Sequence, residues 1–128
     1  MEAMEAYRHA RNVLHAPFPE GEATIATSAF CSYRYAIDVL KAPFRLGEFA
    51  ISTNSYYSYC YARYVLKAPF RLGEKEIAKN GNFSVSYAEN VLKSRFRLGE
   101  GAIGTDDTLL KYYRKLFLIK PRPAFFKY

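Results

Sequence analysis

Four glutamates, Glu22, Glu48, Glu74 and Glu100, stand 26 residues apart. Carboxylates in register are the one regular array in this 128-residue chain able to do acid–base chemistry or hold a cation. Three of them follow an arginine by three residues, at Arg45, Arg71 and Arg97, so counter-charges and the positive ends of short helices account for them without a reaction. His9 and His15 occupy repeat positions held elsewhere by tyrosine and lysine, and neither sits beside a serine or cysteine in a nucleophile pattern. Cys31 and Cys60 fall at different repeat positions. They build no disulfide or zinc ladder and are expected to be inert small hydrophobes. No phosphate-binding glycine loop, dinucleotide fingerprint or His-Glu-x-x-His is present. The expectation is a protein that is not an enzyme and uses no metal or cofactor.

Binding chemistry is better supplied, and it is unevenly placed. Residues 1–107 hold 13 Lys/Arg and 12 Asp/Glu, whereas residues 108–128 hold six Lys/Arg and no acid. Those six are Lys111, Arg114, Lys115, Lys120, Arg122 and Lys127, and Phe125, Phe126 and Tyr128 stand among the last of them. Cations hold phosphates or an acidic protein surface, and aromatic rings stack on bases or fill apolar pockets. A second candidate is the set of repeat positions that vary: Arg8, Arg34, Cys60 and Ser86; Arg11, Ile37, Arg63 and Glu89; Asn12, Asp38, Tyr64 and Asn90. Of these, Arg34, Arg63 and Tyr64 carry the groups most suited to a partner. The same positions are also explained as solvent-facing and free to drift.

The elements that must present these groups follow from the repeat itself. Tyr35, Tyr61, Tyr87 and Tyr113 share one position with His9; Val13, Val39, Val65 and Val91 another; so do Phe18, Phe44, Phe70 and Phe96, Gly21, Gly47, Gly73 and Gly99, and Ile25, Ile51, Ile77 and Ile103. A step of this size, uninterrupted, predicts a solenoid whose units cannot bury their apolar faces alone. Ser28, Asn54, Asn80 and Asp106 are N-cap residues at one position. A first helix is expected after each, running to Lys41 in the second unit, where Pro43 disfavours its continuation. Ser94-Arg95 replaces Ala-Pro in the fourth unit, which predicts a less sharp stop there. A short second helix follows, led by Pro19 in the first unit. Helices of about 13 and 8 residues are marginal alone and must be held by stacking. The repeated glycine predicts either close backbone approach or a left-handed turn. The column tyrosines are expected to stack from unit to unit with their hydroxyls at water or a polar partner.

The fold class predicted is therefore all-α: an α-α solenoid of 26-residue two-helix repeats with a C-terminal capping helix, in layers about 10 Å apart. It occupies residues 1–119 as one domain, with a basic aromatic tail at 120–128. Half of the residues are hydrophobic and 24% are charged, with 12 Tyr and 10 Phe, which excludes a disordered chain. No apolar run is long enough to span a bilayer, and the first residues lack the regions of a secretory signal. A cytoplasmic protein with no membrane partner is expected; whether copies self-associate is open.

The pattern Tyr-Ala-x-x-Val-Leu-Lys-x-x-Phe-x-x-Gly-Glu-x-x-Ile, carried by residues 35–51, 61–77 and 87–103, resembles short-repeat proteins encoded by tailed bacteriophages. The resemblance spans residues 7–119 and brings no active site. It implies a small phage protein that engages a host component, with inhibition of a bacterial defence system, an anti-CRISPR role included, among the expected activities. A host protein or nucleic-acid-processing complex is the leading partner. Direct binding of RNA or DNA by the C-terminal cations and a self-associating virion scaffold are the alternatives.

Overall fold

The computed structural model describes residues 1–120, which form helices with no strand among them. Helices α1 (3–14), α3 (29–40), α5 (55–66) and α7 (81–92) are the long members of four units. The short members are α2 (19–25), α4 (45–52), α6 (71–77) and α8 (97–103), and α9 (Asp107–Phe117) caps the end. Long helices pack on long helices and short on short, each unit contacting its neighbours. That is the predicted solenoid.

The helix starts are as predicted. Ser28 Oγ accepts from the Cys31 N–H at 3.1 Å, Asn54 Oδ1 from Tyr57 at 2.9 Å and Asn80 Oδ1 from Phe83 at 2.9 Å. Asp106 accepts from both Thr108 and Leu109. Each cap satisfies an N–H that the first turn leaves without a helical partner.

The helix ends differ from expectation. Lys41 does not end the helix as a last helical residue; it stands beyond it in the left-handed region at φ 52°, as do His15, Lys67, Lys93 and, after α9, Leu118. The last turns of α1, α3, α5 and α7 widen to i→i−5 hydrogen bonds, so that the Lys41 N–H reaches the Ala36 carbonyl. The Ala42 N–H converges on that same oxygen at 3.3 Å. Two donors on one carbonyl close the helix, in the manner of a left-handed C-terminal cap. The fourth unit stops just as sharply, with Lys93 at φ 55° and the Ser94 N–H on the Ala88 carbonyl. The proline is therefore not what ends these helices.

Each short helix opens with a 3-10 turn, as at Arg45–Gly47. Gly47 has φ −91°, which excludes the left-handed alternative and leaves close approach. A Cβ there would lie 2.6 Å from Ser32 Cβ and 2.7 Å from Phe44 Cδ2, and Gly73 and Gly99 meet the equivalent Ser58 and Phe70, and Ser84 and Phe96, at the same distances. The serine is bonded in turn: Ser32, Ser58 and Ser84, all fully buried, donate to the carbonyls of Ile25, Ile51 and Ile77 at 3.1, 2.9 and 3.0 Å. Hydrogen bonding offsets the cost of burying these hydroxyls and ties each long helix to the end of the preceding short one.

The core is columnar. Tyr35, Tyr61 and Tyr87, Ala36, Ala62 and Ala88, and all four repeat isoleucines are completely covered. The tyrosines do not stack on one another. Each packs edge-on against the phenylalanine of its own unit, with ring centroids 4.9 Å apart for Tyr35–Phe44 and 5.0 Å for Tyr61–Phe70 and Tyr87–Phe96, the geometry that aromatic quadrupoles prefer.

Candidate partner-binding site

The glutamate array finds its explanation in those tyrosines. Tyr61 donates from its hydroxyl to Glu48 Oε2 at 2.6 Å and accepts from the Phe44 N–H at 3.1 Å, so one hydroxyl of one unit holds two groups of the unit before. The same pair of bonds joins Tyr35 to Glu22 and Phe18, Tyr87 to Glu74 and Phe70, and Tyr113 to Glu100 and Phe96. Arg45 and Arg71 complete the arrangement from outside, each 2.8 Å from its glutamate. Burial and the neighbouring carboxylate push the Tyr35 and Tyr113 phenols up to about 12, and Tyr61 and Tyr87 rise for the same reasons. These carboxylates are latches between units. His9, at the tyrosine position of the first unit, packs its ring 4.8 Å from Phe18.

The fourth unit departs from this pattern and so creates a site. Arg95, standing where Pro43 and Pro69 do, takes Glu100 through both carboxylate oxygens at 2.9 Å. Burial raises the Glu100 carboxyl, but the hydrogen bonds from Arg95 and Tyr113 outweigh it and hold that group below the usual carboxylate range. Arg97 is left lining a groove of about 630 Å³ between α8 and α9, with Arg95, Arg114 and Lys120 around it and Leu110, Ile119, Gly101 and Gly104 among its walls. Within the body, the equivalent face of each short helix is covered by the 3-10 turn of the next unit. Four cations and one carboxylate about an apolar-walled groove suit an anionic group on a partially apolar partner.

Of the residues singled out from the sequence, Arg114 and Lys120 thus come together, joined by Arg95 and by Arg97, which was expected as the counter-charge of Glu100 and yields that place to Arg95. Arg95 had been noted only as a missing proline. Lys111 and Lys115 are exposed on α9 and do not line the groove. Arg122, Phe125, Phe126, Lys127 and Tyr128 lie outside the described residues.

The varying positions have internal work as well. Arg34 is paired with Asp38 at 2.8 Å, and Asp38 also accepts from the Tyr7 hydroxyl of the unit before at 2.5 Å. Two units later Asn90 and Arg63 both donate to the Tyr59 hydroxyl, at 3.1 and 2.8 Å. These side chains form a polar seam between long helices, and only part of the expected exposed face remains. Arg63 also lies 5.0 Å from the centre of the Tyr64 ring, within cation–π range. Beside it runs an aromatic row that sequence reasoning missed. It comprises Phe30, Tyr33, Tyr56, Tyr57, Tyr59 and Phe83, in ring contact across three units, with Tyr56 and Phe30 partly open to solvent. Cys31 and Cys60 are buried and unbridged, and burial raises the Cys60 thiol, as fits small hydrophobes.

Among the described residues no cluster of His, Cys, Asp and Glu is arranged to hold a metal, and no helix is long and apolar enough to cross a membrane. No protein family, no curated protein and no solved structure matches this chain.

Proposed function

We propose that this chain is a non-enzymatic protein-binding repeat module whose principal contact is the basic end of the solenoid. The observation that supports it is the groove between α8 and α9, where Arg95, Arg97, Arg114 and Lys120 meet apolar walls. Elsewhere in the body Arg34, Arg45, Arg71 and Lys79 are each paired with a carboxylate of their own unit. The partner is an acidic surface of a host protein or nucleic-acid-processing complex. The resemblance to phage repeat proteins supports engagement or inhibition of a host defence complex in the cell cytoplasm, an anti-CRISPR role being one form. The test is recovery of partners from host lysate by the immobilised full chain and by an Arg97→Glu/Lys120→Glu variant of equal helicity. Loss of a partner in the variant supports the reading; equal recovery overturns the groove as the contact.

The same four cations favour one second reading, direct binding of RNA or DNA on a small footprint. Counterion release then requires the affinity to fall with salt by a log–log slope of several units. Salt-independent or absent binding of oligonucleotides removes it.

A further inference from the structure

The leading 3-10 turns of α4, α6 and α8 each carry an exposed leucine that neither the latches between units nor the basic groove uses. In each, Phe44 and Gly47, or their equivalents, face the core, so the two residues between them must face outward. Those two are an arginine and a leucine every time: Arg45-Leu46, Arg71-Leu72 and Arg97-Leu98. The leucines are 59, 56 and 60% exposed, and Phe49, one turn on, is 76% exposed. A position that merely faces water does not call for leucine. Other exposed positions of the same units have drifted, as Phe49, Lys75 and Gly101 show at one of them. The leucine has not, nor have the arginine and the exposed Lys41, Lys67 and Lys93.

Stacking puts these groups in a row. Helix α4 packs on the turn that opens α6, and α6 on the turn that opens α8, so the leucines recur once per layer, about 10 Å apart. Arg45 and Arg71 flank them at 72% side-chain exposure, while the glutamates that these arginines touch keep only 17 and 14%. The outward field of this edge is therefore cationic and its protruding groups are apolar. The first unit lacks the set, having His15, Pro19 and Glu20 in place of lysine, arginine and leucine, so the edge is confined to units two to four.

We propose that this edge is a peripheral docking face for an anionic lipid bilayer, with Leu46, Leu72, Leu98 and Phe49 entering the headgroup region and the Lys and Arg row holding lipid phosphates and carboxylates. A bilayer fits better than a protein partner. The three leucines stand 56–60% exposed and outside the groove between α8 and α9, and a protein would need matching sockets at the layer spacing, whereas the interface takes protruding apolar groups at any spacing and surrounds them with anions. The expectation of no membrane partner rested on the absence of a spanning run. Anchors 26 residues apart leave no such run.

The chain contains no tryptophan, so a Leu72→Trp variant places one reporter on the edge. Its fluorescence is measured, with flotation of the full-length wild type, on vesicles of phosphatidylcholine alone and of phosphatidylcholine mixed with phosphatidylserine. Expected are a blue shift and co-flotation with the mixed vesicles only. Partition should fall about tenfold or more in Leu46→Ser/Leu72→Ser/Leu98→Ser and in Lys41→Gln/Lys67→Gln/Lys93→Gln. Circular dichroism of each variant, with substitutions only at exposed side chains, separates lost binding from lost fold. An unshifted tryptophan, or undiminished flotation of the leucine variant, overturns the proposal. So does a leucine variant that loses a soluble protein partner when the wild type floats with neither vesicle. The Arg97→Glu/Lys120→Glu variant retains Leu46, Leu72 and Leu98, so failure of the groove reading leaves the leucine comparison intact.

Discussion

At the scale of single residues, the tyrosine hydroxyl is the group on which the stacking of units turns. Tyr61 is fully covered, donates to Glu48 and accepts from Phe44. In Tyr61→Phe the ring contact with Phe70 survives while the buried Phe44 N–H loses its partner and Glu48 Oε2 keeps only Arg45, so chemical denaturation should show a loss of about 2 kcal/mol. Burial of these hydroxyls, with the glutamate bond adding to it, sets the alkaline limit. Phenols that titrate near 10 in the unfolded chain are pushed up to about 12 at Tyr35 and Tyr113. Above pH 10 the unfolded chain therefore binds fewer protons than the folded one, and stability falls with rising pH. It should be complete below pH 10 and decline as pH rises toward 12, with the absorbance of phenolate appearing together with unfolding. Glycine makes a sharper test of packing. A Cβ at Gly73 would meet Ser58 Cβ at 2.6 Å and Phe70 Cδ2 at 2.7 Å, whereas one at Gly101 meets nothing within 4 Å. Gly73→Ala should cost about 2 kcal/mol by overpacking, and Gly101→Ala, inside a helix, should stabilise by about 0.5–1 kcal/mol. Two substitutions of one kind with opposite signs, read from the denaturation midpoints, separate space from backbone entropy.

At the scale of the element, starts were legible and ends were not. An N-cap is a local event: Ser28, Asn54, Asn80 and Asp106 each bond an N–H within three residues, so residue type and position were enough. The long-helix C-termini depend on a backbone choice that lysine does not advertise. Left-handed conformation costs an ordinary L-residue about 1–2 kcal/mol, and glycine is the usual occupant. Proline two residues on offered a simpler reason for the stop, yet α7 ends identically where Ser94-Arg95 stands in its place. The cause is the convergence of two N–H groups on the buried Ala88 carbonyl. Lys67→Gly should accordingly raise the unfolding free energy by about 1 kcal/mol, since Lys67 is exposed and its φ of 52° suits glycine. An unchanged or lower midpoint would show that the lysine relieves its strain through contacts along the exposed stem. The groove was only half legible for a related reason. Arg114 and Lys120 stood out by charge, but that Arg95 would take over Glu100 and release Arg97 to the groove follows from a three-dimensional exchange of partners.

At the scale of the whole molecule, the register seen in the sequence is the architecture, because each interface repeats one set of bonds: tyrosine to glutamate and phenylalanine, serine to isoleucine carbonyl, glycine against serine. The varying positions were harder to assign, since a position that differs between units can be idle in water or be paired differently across each seam. Tyr7–Asp38 and Tyr59–Asn90 show the second case. A nearest-neighbour array of this kind makes a strong demand on deletions. Removing residues 62–87 joins Tyr61 to Ala88, keeping the Tyr-Ala step. It retains the Tyr61–Glu48 and Tyr113–Glu100 latches intact while discarding the Tyr87–Glu74 latch and the Tyr59–Asn90 pairing. The shortened chain should fold to a helical monomer or oligomer of the same state as the parent, with a cooperative transition at lower temperature. Removing residues 62–74 instead deletes half a step, sets a long helix where a short one belongs and leaves Tyr87 facing no glutamate. That chain should lose its cooperative transition in calorimetry. If both deletions unfold alike, the units are not independent layers, and the solenoid is held by contacts that span more than neighbouring units.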